Sequence, residues 1–139
     1  MSSALFFTVP LLVVATYFFM SSMPLLTLKH DSPQDARFIR GFFYTNYSIV
    51  LFTAGATATA YAVVGWLPFA AGAAGIALTA FTLRRFVIPK MDSLHAKIQL
   101  NEKSAISSFR RTHVLAILTN LAQFLLILWS LVATSLQMK

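Results

Sequence analysis

"GFFYTNYSIVLFTAGATATAYAVVGWLPFAAGAAGIALTAFTL", Gly41 to Leu83, runs for 43 residues without a charged side chain. A helix crossing the hydrocarbon core of a bilayer needs roughly 20 apolar residues, so this run is long enough for two crossings. The breakers in its middle, Gly65 and Pro68 of "VGWLPF", fold it into a hairpin, and Trp66 suits the membrane–water interface.

Two further runs extend the pattern. Ala4 to Leu28 has 25 residues without a charge, and Thr112 to Met138 carries no Lys, Arg, Asp or Glu. The whole chain is 58% hydrophobic and 11% charged, against about a quarter charged in soluble domains. Water cannot be the solvent for so much apolar surface. The prediction is an all-α integral membrane protein, an antiparallel four-helix bundle in one domain, 1–139. Its spans fall at about 4–26, 42–64, 68–85 and 112–136. The first segment has no positive n-region and carries its basic residues after it, so it is expected to be a retained span and not a signal peptide. The absence of cysteine removes disulfides and thiolate-ligated metal centres.

Local signals set the ends. In "DSPQD", Ser32 is an N-cap, Pro33 occupies the first helical position and Asp35 suits the positive end of the helix dipole. Helix two therefore starts before the membrane and runs about 32 residues, roughly 48 Å, so the helices project beyond the bilayer. Pro10 is a potential kink in helix one, and Pro24 lies near its end. Small residues spaced by four, Ala54-Ala58-Ala62 and Gly55-Thr59 on one helix and Ala71-Gly75-Thr79 on the next, predict a closely packed hairpin. Met91, Leu94, His95 and Ile98 share one helical face. The segment at about 90–100 is then either an amphipathic helix at the membrane surface or a continuation of helix three bent at Pro89. Asn101 is the expected cap of the last helix.

Ten of the 11 Lys and Arg residues fall in the two loops that an up–down bundle places on one side. By the positive-inside rule, the long loops are expected in the cytoplasm and both termini outside, in a bacterial inner membrane or its equivalent. With four acidic residues on that side, the cytoplasmic face is basic and attracts anionic lipid. Candidate ligand-binding residues there are Arg37, Arg40, Arg84, Arg85, Arg110 and Arg111.

Inside the last span, Phe109, His113, Ile117, Asn120 and Phe124 form one stripe with Gln123 beside it. Buried amides in lipid require partners, and Asn46, Tyr47 and Tyr17 are the candidates. This arrangement is either interhelical hydrogen bonding or a polar pocket with Arg110 and Arg111 at its rim. His30, His95 and His113 all belong to the basic side and are candidate ligands for a metal or haem. Met20 and Met23, one turn apart on helix one, are packing residues or soft ligands for copper(I). All four carboxylates lie in loops, which excludes a carboxylate proton relay through the bilayer. Nothing in the chain points to nucleic acid.

The basic–Pro step of Arg84, Pro89 and Lys90, followed by Phe109-x-x-x-His113 and Asn120, resembles the transmembrane protein 205-like family of small four-helix membrane domains. That resemblance implies the fold and a membrane address, and no established reaction. The layout, with Pro24 and His30 at the exit of helix one, is also similar to the copper-resistance protein D-like superfamily with its haem-linked oxidases, although helix one lacks a histidine. Anthrone-oxygenase-like membrane proteins share the layout alone. Three functions stay open at this level. One is a lipid- or amphiphile-binding protein or a subunit of a larger assembly. Another is an oxidoreductase using haem, metal or quinone near His113. The third is a solute transporter acting as an oligomer.

Overall fold

A computed structural model describes residues 2–28 and 32–137. It contains α1 (Ser2–Ser22), α2 (Pro33–Val63), α3 (Leu67–Gln99) and α4 (Lys103–Gln137), with a 3-10 turn at Pro24–Thr27 after α1. The packed pairs are α1–α2, α2–α3, α3–α4 and α4–α1. The result is an antiparallel four-helix bundle with α1 diagonal to α3 and α2 diagonal to α4. Among the described residues there is no strand.

α1, α3 and α4 are long and apolar enough to cross a membrane, and only 22–28% of the residues in their apolar windows are buried inside the bundle. The remaining apolar surface, with Phe52, Leu78 and Leu126 pointing outward, needs an apolar surrounding. α2 is as long but more polar, because Thr, Ser, Tyr and Asn interrupt its run. Four of its hydroxyls are satisfied by its own backbone: Ser48 donates to the Tyr44 carbonyl, Thr53 to Ile49, Thr57 to Thr53 and Thr59 to Gly55. Such back-bonding lets a hydroxyl sit in lipid without water. Two bonds also tie α1 to α2: Thr8 Oγ1 donates to Tyr61 Oη at 2.8 Å, and Thr57 Oγ1 to the Phe7 carbonyl at 3.0 Å.

The helix ends follow their local chemistry. Ser32 caps α2, its hydroxyl accepting from the Gln34 amide, with Pro33 at the first position. α2 closes at Gly65, whose φ of 78° suits glycine. There the Trp66 amide donates to the Tyr61 carbonyl and the Gly65 amide to Ala62, a Schellman motif. α3 closes the same way, and this corrects the expectation for Asn101. Asn101 has φ 60° and its amide donates to Ile98, while the Glu102 amide donates to Lys97. It therefore ends α3; it does not start α4. Asparagine tolerates the left-handed conformation better than most residues.

α3 runs unbroken through Pro89 to Gln99, so the 90–100 segment is its continuation and not a separate surface helix. Met91, Leu94 and Ile98 are buried in the bundle core, and Pro89 is on the exposed side, where its ring disturbs no packing. Of the small residues that the spacing named for the hairpin, Ala54 alone is buried. Nothing lies within 4 Å of a Cβ built on Gly55 or Gly75. Ala54, Thr57 and Tyr61 on α2 and Ala73, Ile76 and Ala80 on α3 are the buried ones, with Tyr61 stacked on Phe69.

Tyr44 and the end of α2 at Val63, just before Trp66, are separated by about 29 Å, close to the roughly 30 Å of a hydrocarbon core. Beyond Tyr44 and Arg84, α2, α3 and α4 project past the basic end.

Candidate functional site

The polar stripe of α4 faces inward. Phe109, His113, Ile117, Asn120 and Gln123 are all buried. His113 lies edge-to-face with Phe43, ring centroids 5.2 Å apart, across the α2–α4 diagonal. Phe43 and Phe18 both meet Tyr47, so aromatic rings fill this level of the core. The predicted amide partnerships do not form. Asn46 donates to its own Phe42 carbonyl. Tyr17 is 63% exposed and turned away. Both amide atoms of Asn120, the Tyr47 hydroxyl and Gln123 Nε2 are buried without a hydrogen-bond partner. Arg110 and Arg111 are exposed on α4 and do not roof this stripe.

At the basic end, the arginines divide by commitment. Arg40 makes a two-pronged pair with Asp92, Nε to Oδ1 at 2.8 Å and an Nη to Oδ2 at 3.2 Å. Its guanidinium also lies 5.0 Å from the Tyr44 ring centroid. Arg84 covers the same ring at 4.6 Å and donates to the Tyr44 hydroxyl at 2.7 Å. Tyr44 thus holds two cations at one place, a role that nothing in the local sequence signalled. Arg37 makes no ion pair with any described residue. Arg85 is exposed.

Arg37 lines a groove of about 720 Å³ along α2 and the side of α1. The walls are mostly apolar, from Tyr17, Phe38, Phe42 and Ile49; Gln34 and Arg37 stand at one end, and Thr45 and Asn46 lie deeper. Gly41 lies along this groove, and a Cβ added there would meet nothing within 4 Å. A glycine between Phe38 and Phe42 was the available sequence signal for this concavity. Gln34 to Ile49 spans about 22 Å, from beyond the Tyr44 level into the apolar layer. A cleft of about 230 Å³ between α2 and α3, lined by Arg37, Arg40, Asp92 and His95, adjoins it. Arg37 is common to both. A further groove, between α3 and α4, has Lys90 beside Phe86, Val87 and Leu115.

The two described histidines, His95 and His113, are not brought together. His95 Nε2 donates to the Pro33 carbonyl at 2.9 Å, tying α3 to the start of α2. His113 lies in the core against Phe43, ten residues beyond Pro33 on α2 and so about 15 Å further along the bundle by helix rise. His30 lies outside the described residues, as do Lys29 and Lys139 of the charge count. Among the described residues, no three His, Asp or Glu side chains gather as a metal site would require. Met20 and Met23 are exposed.

The chain matches no protein-family model, no curated protein and no solved structure. Its class follows from its own geometry: an all-α membrane protein, a four-helix bundle with an apolar exterior and a basic projecting end.

Proposed function

We propose that the chain is a non-enzymatic integral membrane protein that binds an amphiphile with an anionic group in its headgroup, its basic end facing the cytoplasm. The observation that carries this is the groove of about 720 Å³ whose apolar walls lead to Arg37. An acyl chain fits the part between Phe42 and Ile49, and an anion fits the guanidinium at its mouth. Arg37 is available for this because Arg40 and Arg84 are already held by Asp92 and Tyr44. The ten-to-one distribution of basic residues supports the orientation. The resemblance to the transmembrane protein 205-like family bears on the fold and the membrane address and not on the ligand. Two parts of the resembling motif, Phe109 and His113, are core residues, and Arg84 is part of the basic end.

The test is lipid analysis of protein purified from its membrane in mild detergent. The wild-type chain should retain an amphiphile with a phosphate or carboxylate in its headgroup above its share of the bulk membrane. Gly41→Trp should lose it, since the position lines the groove, a Cβ there meets nothing within 4 Å, and the indole takes up the space of the ligand. Equal retention by both proteins would sink the proposal. The alternative, redox chemistry at His113, rests on the full burial of that imidazole. A visible haem band abolished by His113→Ala would favour it.

A further inference from the structure

We infer that the headgroup end of this groove is the cleft between α2 and α3, and that it selects a phosphodiester headgroup bearing a hydrogen-bond donor. The inference rests on the amphiphile proposal and gives it a ligand chemistry.

Selectivity has to come from the headgroup. A lipid entering the groove leaves a bilayer that is already apolar, so its chain gains little from Phe38, Phe42 and Ile49. The groups beyond Arg37 are therefore decisive, and they are of two kinds. Arg37 is the one cation there with no described partner, and it suits a phosphate oxygen. The rest of the cleft offers acceptors. Asp92 gives one lone pair on each oxygen to Arg40, but a carboxylate has about four acceptor positions. The residue is about half exposed, with a relative side-chain accessibility of 52%. His95 uses Nε2 to donate to a carbonyl, which can only accept, so Nδ1 is the ring nitrogen left for another partner. Arg40 is occupied. One free cation beside an exposed carboxylate complements an anion that carries its own donor.

Two headgroups meet that description. Phosphoglycerol supplies hydroxyls and phosphoethanolamine supplies an ammonium. Phosphocholine has the phosphate without a donor, and a fatty acid has neither the phosphodiester nor the donor. Carboxylate alone could bind Arg37 but would leave Asp92 facing a second anion.

The experiment is native mass spectrometry of delipidated protein titrated with four probes of matched chain length: phosphatidylglycerol, phosphatidylethanolamine, phosphatidylcholine and oleate. The first two should bind at least about fivefold more tightly than the last two, the worth of one well-placed polar contact at a membrane surface. Comparing the first two shows whether hydroxyl or ammonium is preferred. Arg37→Gln should weaken both by about fivefold and leave their ratio to phosphatidylcholine little changed. Asp92→Ala should collapse that ratio to about one without weakening phosphatidylcholine. If all four probes bind alike in the wild type, yet Gly41→Trp abolishes binding, the groove stands and this headgroup assignment is overturned. If Gly41→Trp changes nothing, the groove itself is not the site, and the assignment falls with it.

Discussion

Replacing Asn120 by leucine should stabilise the bundle. Asn120 is 2% exposed and neither amide atom has a hydrogen-bond partner. A buried unsatisfied polar group costs about 1–3 kcal/mol relative to water. The reference here is a helix already in lipid or detergent, where polar side chains find partners less well than in water and measured effects average about 0.6 kcal/mol. Leucine has a similar volume and belongs among Phe19, Phe124 and Ile117, which line or adjoin this core. The expected gain for Asn120→Leu is about 1 kcal/mol. Thr57→Val is the control of opposite sign. It loses a bond to the Phe7 carbonyl at 3.0 Å and one to Thr53 at 2.8 Å, at a cost of about 0.6 kcal/mol. Both changes are read by unfolding in mixed micelles with increasing dodecyl sulfate, followed by circular dichroism. A destabilisation of Asn120→Leu by more than about 1 kcal/mol would refute the reasoning, because it would mean that the amide has a partner in the folded bundle. A stabilised protein that has lost lipid retention would instead mark Asn120 as a residue kept for function at a cost in stability.

Further outcomes follow from particular contacts. Tyr44→Ala removes the ring beneath two guanidinium groups and should cost about 0.5–1 kcal/mol per contact, whereas Tyr44→Phe should lose only the Arg84 bond; the same unfolding assay separates them. Gly65→Ala places a Cβ at φ 78° and should destabilise by about 1–2 kcal/mol. Asn101→Gly, at φ 60°, should be neutral or slightly stabilising by that same measurement. The chain has no cysteine, so Gln99→Cys and Leu67→Cys each provide a single reporter thiol. In intact cells an impermeant maleimide should label Leu67→Cys and spare Gln99→Cys, and the reverse pattern would overturn the assigned orientation.

The features legible in the sequence are those set within one turn of helix or by overall solvent preference. The uncharged runs mark the apolar helices, because no water-facing arrangement accommodates them; α1, α3 and α4 are the ones long and apolar enough to cross a membrane. Ser32 and Pro33 start α2 because a cap is a bond between residues two apart. The inward face of α4 was readable from Phe109, His113 and Asn120 because polar residues in a lipid-facing helix turn away from lipid.

The tertiary structure decided how each helix is turned about its axis. In a soluble bundle, the contrast between apolar and polar faces fixes that rotation, but a bilayer makes the outer face apolar too, so periodicity loses its contrast. Tyr17 therefore points outward although it could have served Asn120, and Gly55 and Gly75 open onto free space although their spacing suits close packing. Continuation of α3 through Pro89 depended on burial of Met91, Leu94 and Ile98 against the other helices, which outweighs one lost backbone bond. The division among the arginines is equally non-local. Arg40 meets Asp92 across 52 positions of chain, Arg84 meets Tyr44 across 40, and His95 reaches Pro33 across 62. Composition alone determined that this chain belongs in a membrane with one basic side; only the packing of α2 on α3 pairs Arg40 with Asp92 and Arg84 with Tyr44, and leaves Arg37 without an ion pair among the described residues.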